Sequence, residues 1–335
     1  MSRSHSSQTL AGYVRWLAFG WLGLVVAVGL AAPWLPLPYP PATPDLQHVA
    51  ATPTWSGLGP LHYLGTDPSG RDVLAELVFG ARQVVLLSLP ATVLATVLGA
   101  LAGGAAGFWG NRGVRLPLLL VLPAVSGLWA TLALPGWQRG AVLLCGLGLA
   151  GGLSRNWLVR WGYGRLLMAT WPLPLDSLLL SSTTLLGAVP RLVLVLALAA
   201  GPPLNAGLLL AVLALVAWPE AARLVRGQML RVQALPFIEA ARAAGLPVGR
   251  IWWRHAMPHA CQPLWAFAPL SLAGLIGLES TLAFLGVGLP PTTPSWGHLL
   301  GALRQQPEAW WLVLGPGLAL LTTLLALRGV AQRGQ

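Results

Sequence analysis

The chain has 335 residues, 56% of them hydrophobic and only 9% charged, whereas a soluble domain carries about 25% charged residues. A water-soluble globule is therefore excluded, and most of the chain belongs in lipid, in keeping with a mean hydropathy of +0.69. The net charge of +11 comes from arginine alone, because the sequence has no lysine; its clusters lie between apolar stretches, which marks membrane topology rather than a nucleic-acid face and leaves no room for disorder or a coiled coil. Cys145 and Cys261 stand far apart in apolar or Trp-rich surroundings and read as buried free thiols.

A spanning helix needs about 20 apolar residues to cross about 30 Å of hydrocarbon. The first stretch that qualifies is 16–35, after a short N-terminal segment 1–15. A cleaved signal peptide is the rival reading, since Ala31 and Ala32 are small and Arg3 and Arg15 positive. The apolar run exceeds the usual signal core of about 7–15 residues, so a retained span is expected. Further apolar stretches lie at 84–109, 116–134, 140–154, 177–200, 205–218, 264–288 and 309–327. Two of these, 140–154 and 205–218, are short. Eight crossings give an all-α polytopic membrane bundle with both termini on one side. If that side is the cytoplasm, the inner segments hold fifteen arginines and the outer ones only Arg71, Arg82, Arg139 and Arg304, with Arg191 inside a span. That bias sets the orientation. Most of the 17 tryptophans flank the spans as interfacial anchors, and Trp252 and Trp253 are placed to brace a cytoplasmic hairpin against the bilayer.

Two segments face water. The outer loop at 36–83 starts Pro-rich and ends in a predicted amphipathic helix, with Asp67 as its cap, Pro68 at its first position and Val73, Leu74, Leu77 and Val78 on one face. The inner loop at about 219–262 holds a second pattern, Glu239-Ala240-Ala241-Arg242-Ala243-Ala244-Gly245, followed by Met257-Pro258. Ala-rich residues favour a helix over 237–244 that starts after Pro236, is capped by a left-handed Gly245 and is stopped by Pro247. A second helix, roughly Val248 to Met257, is expected to return to the membrane before Pro258. Small side chains would let a partner approach the backbone closely, with Glu239 as one directed charge; a solvated loop whose alanines merely favour helix fits the composition equally well.

The spacing of Glu239-Ala240-Ala241, Gly245 and Met257-Pro258 resembles the EAA loop of ABC importer permeases. The flanking blocks narrow the resemblance to the dipeptide/oligopeptide/nickel branch: Ala222-Arg223-Leu224-Val225-Arg226-Gly227-Gln228, Arg254-His255-Ala256, the outer Leu64-Gly65-Thr66-Asp67-Pro68-Ser69-Gly70-Arg71-Asp72-Val73 with Gly80-Ala81-Arg82, and Glu279 to Gly288 leading into Pro294-Ser295-Trp296-Gly297. The order of the blocks is similar to that of the second permease subunit in such systems. The resemblance implies a permease domain over 84–330 and a coupling element made of Glu239, Ala240, Ala241, Gly245 and Pro258, which would seat in a cytoplasmic ATPase. Implied partners are a second permease as a heterodimer, two ATPase subunits, a periplasmic substrate-binding protein and the lipid of a bacterial inner membrane. The chain itself would be no enzyme and bind no cofactor, ATP and magnesium residing on the ATPases; a phosphate-binding loop of the G-x-x-x-x-G-K-[ST] type needs a lysine the chain lacks. Two departures stand out. His259 takes the place of the usual Asn after the Leu-Pro pair, and a segment at about 115–172 intervenes before Asp176, which reads as an inserted helical hairpin added to the six spans of the family.

Other charges near the lipid are candidates for the translocation path. Arg191, costly inside a span, could line the path, snorkel, or pair with a carboxylate such as Glu279. Glu279 could contact substrate or hold structure by hydrogen bonding, and Glu220 reads as an interfacial charge after Trp218-Pro219. His48, His62 and His298 all fall in outer loops without ligand spacing, so no metal site is expected. An ion-gradient-driven transporter would be expected to show internal repeats and mid-membrane carboxylates, and a membrane scaffold is the third class; the EAA block argues against both. Substrate identity is not encoded in any of these motifs.

Overall fold

The computed structural model describes residues 3–41, 43–54, 62–111, 113, 115–117, 170–199 and 205–332. The expected span at 140–154, all of that at 116–134 beyond residue 117, most of the 115–172 insert, and Cys145 lie outside the described residues. In chain order the helices are α1 (Arg3–Ala31), α2 (Val73–Gln83), α3 (Leu89–Trp109), α4 (Leu175–Gly187), α5 (Arg191–Ala199) and α6 (Ala206–Val232). They continue with α7 (Pro236–Ala243), α8 (Val248–Arg250), α9 (Met257–Ala260), α10 (Leu264–Phe284), α11 (Trp296–Ala302) and α12 (Trp311–Ala331). Among the described residues five helical segments are long and apolar enough to cross a membrane, Trp16–Trp34, Val73–Trp109, Ala206–Val232, Leu264–Phe284 and Trp311–Ala331. The protein is an all-α membrane bundle.

The chain divides into two compact units, Met1–Gly104 with Ser182–Gln335, and Ala105–Ser181. In the smaller unit a short antiparallel ladder pairs β1 (Arg115–Pro117) with β2 (Thr170–Pro172), Leu116 lying opposite Trp171. Beside it Asn111 Oδ1 accepts from the Ser177 amide at 3.0 Å in the first turn of α4.

The larger unit is built inside out relative to a soluble protein. On α12, Leu314, Leu318, Leu321 and Leu325 share one outward face, each half exposed, while Ala319, Thr323 and Ala326 turn inward. Large apolar side chains thus meet lipid and small ones meet neighbouring helices, because lipid offers apolar groups no reason to hide and close backbone approach supplies the packing. Gly103 of α3 shows how close that approach is: a Cβ there would stand 2.1 Å from the carbonyl oxygen of Ala222 on α6. One buried cluster joins Leu87, Ala91, Leu213, Val216, Leu275 and Leu282, drawn from α3 and the turn before it, α6 and α10. A second joins Val25, Ala81, Ile276, Trp296, Ala319 and Leu327 across α1, α2, α10, α11 and α12.

Three expectations change. The stretch 177–200 is not one straight span: α4 and α5 meet at an 83° bend, where Pro190 has no N–H to donate and, in a continued helix, its ring would clash with the carbonyl four residues earlier. Helix α2 does not stand apart as a surface helix. A π turn at Val84–Ser88 joins it to α3, and the continuous 37-residue segment is about 55 Å long at 1.5 Å per residue, so it overruns about 30 Å of hydrocarbon. Helix α6 does not stop at Trp218-Pro219 either; it runs unbroken to Val232 with Pro219 inside it, which puts Glu220 in mid-helix rather than at a helix end.

Candidate functional site

Helix α6 ends in a tight turn at Gln233, Ala234 and Leu235, whose last two amides bond back to Arg231 and Val232. Leu235 is extended and Pro236 occupies the first helical position of α7, where a missing N–H costs nothing. The amphipathic rule then fixes the faces of this two-turn helix. Ile238 and Ala241 point inward and are buried, whereas Glu239, Ala240, Arg242 and Ala243 are exposed. The Arg242 guanidinium donates to Gln233 Oε1 at 3.4 Å. Among the described residues Glu239 has no ion-pair partner.

Gly245 ends the helix in the left-handed region, at φ +72°. Its amide bonds to Arg242 O at 3.0 Å and the Leu246 amide reaches Ala241 O at 3.3 Å, the paired bonds of a Schellman cap. Pro247 is extended, and a second helical stretch runs from Val248 to Ala260 through a π turn at Ile251–Ala256. Pro258 therefore does not end this stretch. The Met257 amide bonds to Trp252 O in the π turn, and that shifted register absorbs the N–H that Pro258 lacks. Ile251, Ala256, Met257 and Ala260 are buried on the side where α9 packs on α6, while the Phe237 ring leans on His259 at 5.1 Å between centroids. Trp253 is 62% exposed beside Trp252. The hairpin thus presents Glu239 and a small-residue surface while its opposite side is anchored to the bundle.

The outer motif forms a clamp. Thr66 and Asp72 face each other in an antiparallel bridge, and Gly65 O accepts from the Val73 amide at 3.0 Å. Asp67 is not the helix cap. Its Oδ1 accepts from the amides of Ser69 and Arg71, both at 2.8 Å, which closes the Pro68-Ser69-Gly70 turn and consumes the side chain. Gly70 is left-handed at φ +80° and a Cβ on it would meet Asp45 O at 2.4 Å. Asp72 caps α2 instead, its Oδ2 accepting from the Ala75 amide at 2.9 Å, so the helix starts at Val73; Val73, Ala75, Glu76, Gly80 and Ala81 are buried, Leu74, Leu77 and Val78 are half-buried, and Leu77 packs against the second cluster. Thr66 Oγ1 accepts from the Ala51 amide at 2.7 Å and donates to His48 O at 2.5 Å. Arg71 Nη1 reaches Pro291 O at 2.6 Å and the Trp311 indole donates to Thr66 O at 3.1 Å.

Arg191 and Glu279 are not brought together. Arg191 stands at the start of α5, where the helix dipole disfavours a cation, and it pairs with Glu220 of α6. Glu279 is buried on α10, beside a small cavity also lined by Leu209, Leu282, Ser295 and His298. His48 and His62, which sequence spacing sets apart, meet at Asp45 in the outer loop, whereas His298 lies on α11. Their spacing of 45, 48 and 62 forms no regular pattern, so only the folded loop reveals it.

Residues 143–333 match the family described as the inner membrane component of binding-protein-dependent transport systems, and the chain belongs to that family. It is 29% identical over 330 residues to the di/tripeptide transport system permease protein DppC of Pseudomonas aeruginosa, covering 97% of this chain and 86% of that one. A Brucella suis protein named "Putative peptide permease protein" is 28% identical over 294 residues, covering 87% and 75% of the two chains.

Proposed function

We propose that the protein is the second permease of an ATP-driven importer for peptides or a related small solute, paired with a homologous permease in a bacterial inner membrane, with both termini in the cytoplasm. An external binding protein would deliver the solute. Two ATPase subunits, which hold ATP and magnesium, would sit below, one of them against α7. ATP binding would then close the ATPases and turn the path outward through the hairpin. The observation that carries this reading is the hairpin: its free face shows Glu239, Ala240 and Ala243, and its other face is buried against the bundle. The peptide-permease names of the similar proteins support the solute class, and the arginine distribution supports the orientation.

The test is co-purification after mild detergent extraction, comparing wild type with Glu239→Arg and Gly245→Pro. Proline cannot adopt φ +72°, because its ring fixes φ near −65°, so the second variant breaks the cap while leaving the charge. ATPase subunits should accompany the wild type and be lost in both variants at unchanged gel-filtration elution. A wild-type chain that brings down no ATPase under several gentle conditions sinks the coupling reading.

A further inference from the structure

The outer clamp holds three side chains that neither the helix cap nor the proposed importer function employs. His62 is 2% exposed. Its Nδ1 faces Asp72 Oδ1 at 3.0 Å, and Asp72 is itself fixed by capping α2 through its other oxygen. Tyr39 stacks on the same imidazole, centroids 4.2 Å apart and planes 20° from parallel. The ring therefore has one orientation, and its remaining nitrogen, Nε2, is buried without a hydrogen-bond partner. That nitrogen points at Asp45 Oδ2, 3.5 Å away. His48 Nδ1 approaches the same oxygen to 2.9 Å, and the ligand atoms of Asp45, His48 and His62 all lie within 4.8 Å of one another.

A buried orphan nitrogen aimed at a carboxylate is a costly arrangement unless something sits between them. Tetrahedral zinc holds nitrogen and oxygen ligands at about 2.0–2.2 Å, which separates neighbouring ligand atoms by about 3.3–3.6 Å. The spacing of His62 Nε2 and Asp45 Oδ2 is of that size. The Asp72–His62 contact supplies the second element of such sites, a carboxylate that fixes the tautomer and orientation of a ligating histidine. Two imidazoles and one carboxylate suit a borderline ion such as zinc, and supply too few oxygens for calcium or magnesium. His48, with 37% of its side chain exposed, leaves an entry from solvent.

We propose that Asp45, His48 and His62 form a binding site for a divalent transition-metal ion of the zinc class, with Asp72 orienting His62 and the fourth position left to water. The ion would staple the chain at 45–48 to the turn before α2. Its arrival displaces the His48–Asp45 hydrogen bond and requires both imidazoles neutral at the ligating nitrogens, so uptake is opposed by protons.

The test uses tag-free full-length protein in detergent, stripped with a chelator, dialysed and titrated with Co²⁺ alone. One equivalent should bring up the intense visible bands of a tetrahedral ion, and one equivalent of Zn²⁺ should remove them. His48→Ala and Asp45→Asn should each weaken binding at least tenfold, Asp72→Asn by about 10–100-fold, and His298→Ala should leave it unchanged. Because His48 is partly exposed, His48→Ala keeps the test valid if His62 variants fail to fold: zinc should raise the melting temperature of the wild type and not that of His48→Ala. Absence of saturable one-to-one binding, or equal affinity in the wild type, His48→Ala and Asp45→Asn, overturns the site. Either result leaves ATPase co-purification, which reads the other side of the membrane, untouched.

Discussion

The indole N–H of Trp296 on α11 donates to the carbonyl oxygen of Leu77 on α2 at 2.9 Å, and the space for that ring exists because residue 80 has no side chain. A Cβ on Gly80 would lie 2.4 Å from Trp296 Cδ1. Gly80→Ala should therefore displace a buried tryptophan and cost about 1–3 kcal/mol despite alanine's better helix propensity. The measurement is the thermal unfolding midpoint in detergent, with Trp296→Phe as companion: if the clash acts through this ring, the double variant should lose less than the sum of the single ones.

The two aspartates of the outer clamp separate in the same assay. Asp72→Ala removes the cap of α2, worth about 0.5–2 kcal/mol, and deprives buried His62 of its partner at a further cost of about 1–3 kcal/mol. Asp72→Asn retains an acceptor for the Ala75 amide and should recover part of the loss. Asp67→Ala opens the Pro68–Gly70 turn without uncapping α2. Far-UV helicity should therefore fall in Asp72→Ala and hold in Asp67→Ala.

Much of this architecture is legible from composition, since apolar runs of about 20 residues flanked by arginine leave few alternatives. What escaped has identifiable causes. Asp67-Pro68 has the form of a cap followed by a first helical residue, yet the left-handed Gly70 prevents helix there and moves the start to Val73. Pro190 and Pro219 look alike inside apolar stretches, but the first bends its span by 83° and the second sits within unbroken α6; membrane helices tolerate proline where neighbours satisfy the freed carbonyl. The Schellman cap at Gly245 was readable because glycine followed by Leu246-Pro247 has a local cause. The meeting of Asp45, His48 and His62 was not, because it depends on Thr66 and Gly70 drawing two loop segments together.

Arg191 pairs with Glu220 between two helical segments of spanning composition, where removing one partner leaves the other charge uncompensated. Arg191→Ala and Glu220→Ala should accordingly lower the melting temperature to a similar extent. Uptake assays distinguish pairing from a place on the path. Equal, small effects of the two variants mean that Arg191 serves the ion pair, whereas a large loss confined to Arg191→Ala means that it meets the solute.

His298 supplies a pH dependence. Burial lowers its pKa from the ordinary 6.5, the nearby Arg71 lowers it further, and Asp67 opposes both. A histidine whose folded pKa is depressed is neutral in the fold, so its contribution to stability is complete above about pH 6.5 and declines as pH falls from there toward the folded value, where the unfolded chain binds the extra proton. The melting temperature should drop on acidification below about pH 6.5, and His298→Asn should flatten that part of the curve. An unchanged slope in the variant would assign the titration elsewhere.

Helix α6 runs from the Asn205 cap, where Oδ1 accepts from the Leu208 amide at 2.7 Å, to the turn that carries the hairpin, 27 residues later. At 1.5 Å per residue it is a rod of about 40 Å. A rod of that length converts a tilt of about 5° at one end into about 3.5 Å of travel at the other, roughly the diameter of a water molecule. Leverage of this kind requires no melting or refolding of the hairpin. If α6 passes such a tilt on to the hairpin, inserting or deleting a turn there would change the travel at its far end in proportion to its length.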